Sequence, residues 1–248
     1  MGPVYALWIR QIKRYIRSKA RMIGWLGQPI LFLVAMGFGF GPTFQKAGEG
    51  NYLQFITPGI IAMNLIFSSM FWGLEVIWDR QFGFLKETLV APVSRLKIML
   101  GRVLGGATVS VMQAIFLLLI AMLLGFRPYN IWMMPLALWF MFLISVMFSS
   151  IGTALACLMD DMHAFPIINN LLIMPLFFLS GALFKLEGLP TILTVITRIN
   201  PLSYGVDGLR GALSGISTFG VIFDMITIMV ITTIFLMIGS YLFSKIEA

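Results

Sequence analysis

The stretch VLGGATVSVMQAIFLLLIAMLL, residues 103–124, carries no charged side chain and directly follows Arg102. Because an α-helix needs about 20 mostly apolar residues to cross the hydrocarbon core of a bilayer, this run predicts a transmembrane helix. Five more runs of this kind are bounded by charged residues or by Gly, Pro and Asn: 22–41, 52–78, 131–158, 164–183 and 219–243. The sequence therefore predicts an all-α integral membrane protein with six transmembrane helices.

The composition of the chain excludes several other classes of protein. Hydrophobic residues make up 59% and charged residues 11%, with a mean hydropathy of +0.96, whereas soluble domains have about 25% charged residues. With one cysteine, Cys157, and one histidine, His163, the chain cannot form an intrachain disulfide or the usual thiolate and imidazole metal sites. The net charge is +7, and the basic residues lie in clusters beside the apolar runs. This position favours membrane lipid over nucleic acid as the partner of the basic residues.

Lys and Arg residues set the predicted orientation, because they are enriched in the cytoplasmic segments of membrane proteins. Twelve of the 17 precede the first run, separate the second from the third, or follow the last: Arg10, Lys13, Arg14, Arg17, Lys19, Arg21, Arg80, Lys86, Arg95, Lys97, Arg102 and Lys245. The other five are Lys46, Arg127, Lys185, Arg198 and Arg210. We therefore predict a multi-pass protein of a prokaryotic cell membrane with both termini in the cytoplasm.

Residues 1–21 place two kinds of side chain on opposite faces of a helix. The apolar face consists of Tyr5, Trp8, Ile12 and Tyr15, and the basic face of Arg10, Arg14, Arg17 and Arg21. Helices of this kind lie flat in the membrane interface with the apolar face toward lipid. We predict an N-terminal interfacial helix here rather than an ordinary basic tail.

A segment of different character, residues 184–217, separates the last two runs and is interrupted by Gly188, Pro190, Pro201 and Gly215. It is too broken to cross a membrane, and we predict two short re-entrant helices. Asn200 would cap the second helix and Pro201 would take its first position, where a missing N–H costs nothing. The predicted divisions of this single domain, 1–248, are the interfacial helix (1–21), spans one to five (22–183), the re-entrant helices (184–217) and the sixth span (218–248).

The largest predicted cytoplasmic loop, residues 79–102, mixes apolar and charged side chains. A short helix is predicted from Gly83 to Val90, because Ala91 and Pro92 break it. The chain has no phosphate-binding loop of the form GxxxxGK followed by Ser or Thr, so it cannot hydrolyse ATP by that route. Any energy from ATP must come from a partner protein.

Two blocks of residues resemble the type-2 ABC transporter permeases, especially the short kind that exports daunorubicin-like drugs and other amphipathic molecules. The first block is Asp79, Arg80, Gly83, Leu85, Glu87, Leu89, APVSR at 91–95, Gly101 and Gly105. The second block is NPLSY at 200–204 with Asp207, Arg210 and Leu213. The resemblance implies a permease that moves an amphipathic drug or lipid-like substrate outward, as a homodimer with two ATPase subunits that bind ATP and Mg²⁺. It implies no catalytic residue, cofactor or metal in this chain.

The resemblance also implies two sets of site residues. The helix that docks on the ATPase would comprise Gly83, Phe84, Leu85, Lys86, Glu87, Thr88 and Leu89. The re-entrant motif would comprise Asn200, Pro201, Leu202, Tyr204, Asp207 and Arg210. Glu87 would be the central polar contact with the ATPase; alternatively, it solvates the helix surface and pairs with Lys86 or Arg80. By resemblance alone, the second and fifth spans would border the transport cavity.

Two carboxylates lie inside predicted spans. Glu75 and Asp224 are each about one helical turn from the end of a span, where a carboxylate serves either proton coupling or structural pairing. Structural pairing is favoured because neither carboxylate lies near the middle of the membrane. Arg80 could pair with Glu75, for instance.

Two further patterns have more than one interpretation. Asp160, Asp161 and His163 would either hold a divalent ion or end the fourth span in water, and the second is favoured because a metal site needs more ligands. Gly101 and Gly105 permit close packing of helices, either within the chain or between two copies.

Other functions are open at this point. A secondary carrier coupled to an ion predicts a matched pair of interrupted spans, and the broken segment occurs only once. A membrane-embedded enzyme, such as a lipid-headgroup transferase, predicts a denser acidic motif than Asp160 and Asp161. Among exporters, polysaccharide or another lipid-linked cargo is the alternative to a drug.

Overall fold

The computed structural model describes residues 2–46, 51–90, 92–184, 186 and 190–246. Every regular element in these ranges is helical, so the predicted all-α class is confirmed. The helices are α1 (Pro3–Ile16), α2 (Lys19–Gly39), α3 (Gly41–Lys46), α4 (Tyr52–Phe71), α5 (Leu74–Gln81), α6 (Phe84–Val90), α7 (Arg95–Leu123), α8 (Met134–Cys157, after a 3-10 turn at Ile131–Met133), α9 (Ala164–Phe178), α10 (Thr191–Ile199), α11 (Pro201–Ser214) and α12 (Val221–Ser244).

Five stretches of the described chain are long and apolar enough to cross a membrane. They are Met22–Gly39 in α2, Tyr52–Gln81 in α4 and α5, Arg95–Leu123 in α7, Ile131–Cys157 in α8 with its preceding turn, and Val221–Ser244 in α12. These stretches overlap the predicted first, second, third, fourth and sixth spans. The third begins eight residues earlier than predicted, because the helix continues through charged residues beyond the apolar run.

The helix at the predicted fifth span, residues 164–183, is shorter than expected. α9 ends at Phe178 after 15 residues. At the usual helical rise this is about 22 Å, against a hydrocarbon core of about 30 Å. The helix ends because the chain turns at Gly181, whose φ of 75° suits glycine. In the same turn, Ser180 Oγ donates to the carbonyl of Phe177 at 2.7 Å.

The second span is interrupted at Trp72 and Gly73, between α4 and α5. The backbones of this break and of α8 touch directly. A Cβ atom added to Gly73 would lie 2.1 Å from the carbonyl oxygen of Gly152, and one added to Gly152 would lie 2.4 Å from that of Met70. These two glycines therefore allow the interrupted span to pack against α8 with no side chain between them.

The N-terminal helix α1 packs lengthwise against the first half of α7. A Cβ atom on Gly101 would lie 2.9 Å from Leu7, and one on Gly105 would lie 2.7 Å from Gln11. The two glycines thus serve packing within the chain rather than a seam between copies. The prediction for the apolar face of α1 needs correction, because α7 covers much of it and Tyr15 is fully buried. The helix also ends at Ile16, and residues 19–21 belong to α2.

The central helix of the bundle is α4, which is buried along most of its length and contacts α2, α7, α8, α9 and α11. At one end of the bundle, Arg80 lies 3.0 Å from Asp160, which follows α8. Arg95 Nη1 donates to the carbonyl of Ser244 at the end of α12, at 2.9 Å. We call this the basic end; α5, α8 and α12 all finish there.

The opposite end of the bundle holds the beginning of α4 and the end of α11. The amide of Tyr129, in the segment after α7, donates to the carbonyl of Leu213 at 2.8 Å. Ser214 Oγ donates to the carbonyl of Gln54 at 3.0 Å. The chain therefore passes from the basic end, where α9 begins, to the opposite end by the close of α11.

Candidate coupling and transport sites

The short helix predicted in the largest loop is present as α6, which begins one residue later than predicted. Gly83 precedes it with a φ of 79°, a conformation that glycine adopts at little cost. Leu85 is fully buried, whereas Phe84 is 52% and Val90 85% exposed. Thr88 Oγ1 donates to the carbonyl of Phe84 at 2.8 Å. Among the described side chains of α6, Leu85 therefore anchors the helix, whereas Phe84 and Val90 are exposed.

Three of the site residues predicted in α6, namely Lys86, Glu87 and Leu89, have side chains that lie outside the described residues. The role of Glu87 as the central polar contact stays a prediction.

The residues that flank α6 in the chain contact elements that are distant in sequence. Arg80, at the end of α5, pairs with Asp160 as described above, and Gln81 Nε2 donates to the carbonyl of Asp160 at 3.0 Å. On the other side of the loop, Arg95 binds the end of α12. Contacts from the two ends of the loop therefore reach the ends of α8 and α12.

Five charged side chains join α1, α5 and α7. Arg14 Nη1 lies 3.2 Å from Glu75 Oε1, and Arg102 Nη2 lies 2.5 Å from Asp79 Oδ2. Asp79 also lies 3.6 Å from Arg10. The predicted structural pairing of Glu75 is confirmed, with Arg14 of α1 as its partner where the sequence suggested Arg80.

The acidic residues that follow α8 are engaged within the chain. Asp160 pairs with Arg80, and Asp161 Oδ1 accepts a hydrogen bond from the backbone N–H of His163 at 2.7 Å. These contacts match the interpretation in which the acidic residues end the helix.

Asp224 differs from Glu75. It lies in the first turn of α12, is fully buried, and has Asp207 as its acidic neighbour. No ion pair among the described residues includes it, so the expected pairing is not found.

The predicted helix start at Asn200 and Pro201 is confirmed. Asn200 Oδ1 accepts from the N–H of Leu202 at 3.0 Å, and Pro201 occupies the first position of α11. Asn200 Nδ2 also donates to the carbonyl of Leu176 at 2.6 Å. One side chain therefore caps α11 and fixes it to the last turn of α9, while Leu202 is fully buried.

Arg210 anchors α11 to the turn after α9. Its Nη2 donates to the carbonyl of Gly181 at 2.8 Å, and its guanidinium lies 4.3 Å from the ring centroid of Phe55 in α4. Both contacts join α11 to other elements of the bundle.

Asp207 and Tyr204 serve the neighbouring connections. Asp207 accepts hydrogen bonds from the backbone N–H groups of Thr218 and Phe219, both at 2.8 Å. The hydroxyl of Tyr204 donates to the carbonyl of Arg198 in α10 at 2.6 Å. The residues of the re-entrant motif thus bind other parts of the same chain.

A cavity of about 480 Å³ lies between α2, α4 and α9. Its lining residues are Gly24, Trp25, Gln28, Pro29, Met63, Asn64, Phe67, Phe71, Asn170 and Met174. We call it the α2–α4–α9 cavity. Its walls combine apolar side chains with the amides of Gln28, Asn64 and Asn170, which the sequence analysis did not single out. The sequence signal that could have indicated this site is the presence of amide side chains inside apolar spans, because burying a polar group in a membrane costs free energy.

The bundle of long apolar helices defines a multi-pass membrane protein. The sequence model of the ABC-2 type transporter family matches residues 3–214, and the chain belongs to that family. A putative transport permease, ycf38, of Cyanophora paradoxa is 32% identical over 95% of this chain and 87% of its own length. Nodulation protein J of Rhizobium leguminosarum bv. trifolii is 28% identical (85% and 80%), and the inner membrane transport permease YadH of Escherichia coli (strain K12) is 27% identical (88% and 87%). Membership of this family makes the chain the transmembrane subunit of an ABC transporter.

Proposed function

We propose that this chain is the permease of an ATP-driven exporter in a prokaryotic cell membrane. Two copies would form a homodimer with two separate ATPase subunits, which bind ATP and Mg²⁺. The substrate would be an amphipathic drug or lipid-like molecule, moved outward. The observation that carries this proposal is α6, a short helix that exposes Phe84 and Val90 and whose loop is tied at both ends to the spans.

A six-span topology with both termini in the cytoplasm is part of the proposal. The ends of α5, α8 and α12 meet at the basic end, and the positive-inside rule assigns that end to the cytoplasm. Since α9 begins at the basic end and α12 begins at the other, the segment between them would cross the membrane once. We assign this crossing to α9, with α10 and α11 as the re-entrant pair that completes the outer half beside it.

The α2–α4–α9 cavity is the proposed substrate site. It opens beside a face of α9 on which Ile167 and Leu171 are 70% and 74% exposed. These residues are four apart and so share one helical face. A second copy packed on this face would close the cavity. The mixed lining of aromatic, methionine and amide side chains suits a substrate with apolar and polar parts.

The proposed mechanism begins with the ATPases. Their closure on ATP would bring the two α6 helices together, and the contacts of Arg80 and Arg95 would carry that motion to α8 and α12. The cavity would then open outward instead of inward. Transport requires that the substrate bind the two states with different affinity.

Copurification tests the coupling role of α6. The tagged permease is extracted gently from its native membrane, and the associated ATPase is quantified for the wild type, Phe84→Ser and Glu87→Ala. Ile216→Ser is the matched control, because Ile216 is 65% exposed beyond the end of α11. We expect both α6 variants to lose most of the ATPase and the control to keep it. Equal recovery from all variants, or no ATPase with the wild type, would contradict the proposal.

An ion-coupled carrier is the second candidate, and the buried Asp224 favours it, because buried carboxylates in spans often carry protons. Transport by proteoliposomes without ATP, lost in Asp224→Asn, would support the carrier. To identify the cargo, the same vesicles would be reconstituted with the ATPase and offered a labelled drug, a polysaccharide or another lipid-linked molecule in turn. The candidate that is transported is the cargo.

A further inference from the structure

A second cavity, of about 150 Å³, lies next to the first and nearer the basic end. Its walls include Trp25, Phe71, Trp72, Trp78, Glu75 and Gln113. We call it the aromatic cavity. Trp25 and Phe71 line both cavities. A protein cavity of roughly this volume holds a molecule the size of benzene, which is also the scale of a small organic ammonium group.

The aromatic rings are held in place by neighbouring helices. The rings of Trp25 and Phe71 lie 5.2 Å apart at an angle of 64°. Trp72 sits directly on α7 at Gly106, where an added Cβ would lie 2.7 Å from the indole Cγ. Aromatic faces attract cations, and sites lined by several aromatic rings recognise quaternary ammonium groups. The cavity therefore has the wall chemistry of a cation site.

Two oxygen-bearing side chains complete the lining. Glu75 is 8% exposed and Gln113 1% exposed. The Oε1 atom of Gln113 has no hydrogen-bond partner among the described groups. The partial negative charge of this buried oxygen would attract a cationic group electrostatically, and a quaternary ammonium group, which has no N–H, would make this contact without a hydrogen bond. No Lys or Arg of the described chain belongs to the lining.

The ion pair between Arg14 and Glu75 offers a way to test this site. Arg14 lies 3.2 Å from the carboxylate, but its side chain is 32% exposed, against 10% for Glu75. Arg14 can therefore turn toward water, whereas Glu75 stays in the wall of the cavity. A cationic ligand and Arg14 would compete for the same carboxylate.

We propose that the aromatic cavity binds the ammonium group of a cationic amphiphile. The rings contact the ammonium group, Glu75 supplies the opposite charge, and the shared wall places the site beside the α2–α4–α9 cavity. Binding needs only the permease. The further step, that the site selects cationic amphiphiles as cargo, rests on the proposed function.

The test is calorimetric titration of the purified permease, without ATPase, in an uncharged maltoside detergent. The probes are hexyltrimethylammonium, hexyl sulfate and hexanol, which share the same chain. We expect hexyltrimethylammonium to bind, and we expect hexyl sulfate and hexanol to bind at least about tenfold more weakly. The contact of a desolvated cation with aromatic rings favours the ammonium probe by roughly thirtyfold. The fluorescence of the tryptophans should change with the same affinity.

Variants with opposite expected signs distinguish binding from structure. Glu75→Gln should weaken ammonium binding about tenfold, whereas Arg14→Gln should tighten it, because one competing cation is removed. Trp78→Leu should weaken it, and Trp132→Leu should not, since Trp132 is 86% exposed and lies outside the lining. Trp78, which is 36% exposed, keeps the test valid if Glu75→Gln does not fold.

Three outcomes would overturn the proposal: hexanol binding as tightly as the ammonium, Glu75→Gln and Arg14→Gln changing binding in the same direction, or Trp78→Leu leaving it unchanged. The proposed function fails separately, because ATPase copurification does not depend on this cavity.

Discussion

Replacing Asp79 with Asn tests how α5, which precedes α6, is held against α7. Asp79 lies 2.5 Å from Arg102, and the two side chains are 8% and 5% exposed. The Nε and Nη1 atoms of Arg102 have no hydrogen-bond partner in the described structure. Removing one member of a buried ion pair costs about 3–5 kcal/mol, because the other charge is left uncompensated. Asn keeps one acceptor, so we expect a loss of about 3 kcal/mol.

A double-mutant cycle and a surface control sharpen this prediction. Asp79→Asn combined with Arg102→Met should cost less than the sum of the single variants by about 1–3 kcal/mol, because no buried charge is left alone. Asp160→Asn is the control: its pair with Arg80 has the same kind of contact at 3.0 Å, but the Asp160 side chain is 95% exposed, and such pairs contribute under about 1 kcal/mol. The assay is reversible denaturant unfolding in mild detergent. Additive single variants, or an Asp79→Asn effect no larger than that of Asp160→Asn, would refute the reasoning.

Two other predictions concern packing and capping. Gly59→Ala should lower the unfolding free energy by about 3 kcal/mol, because the added Cβ would lie 2.2 Å from the carbonyl oxygen of Ala182. Gly27→Ala is the control: its added Cβ meets nothing within 4 Å, so it should not destabilise the protein and should raise the unfolding free energy by up to about 1 kcal/mol. Thermal unfolding compares the two variants. Asn200→Ala should cost about 2 kcal/mol, from the lost cap and a buried carbonyl of α9 left without its donor. Asn130→Ala, which removes an exposed cap, should cost about half as much or less, and equal losses would argue against the contact with α9.

The features that the sequence predicted well depend on local signals. The cap and first turn at Asn200 and Pro201 follow from the two side chains themselves, and α6 follows from Gly83 before it and Pro92 after it. The long spans follow from the apolar runs, because a run of about 20 apolar residues matches the thickness of the hydrocarbon core.

The sequence was less informative about pairings between distant elements. Arg14 and Arg80 are both plausible partners of Glu75, and the choice depends on how α1 packs along α7. The same packing covers the apolar face of α1 that was assigned to lipid. The two glycines at 101 and 105 were equally compatible with a dimer seam, since small residues permit close approach to any helix.

By itself, the sequence determined that the chain is an all-helical membrane protein of the ABC-2 type without a phosphate-binding loop, because span length and local motifs depend on neighbouring residues. Only the tertiary structure decided the short α9, the ion pairs that join α1, α5 and α7, and the two cavities that share Trp25 and Phe71. These features arise where helices far apart in the chain approach each other. The distances and burial that result depend on how complete helices pack, which no local pattern specifies.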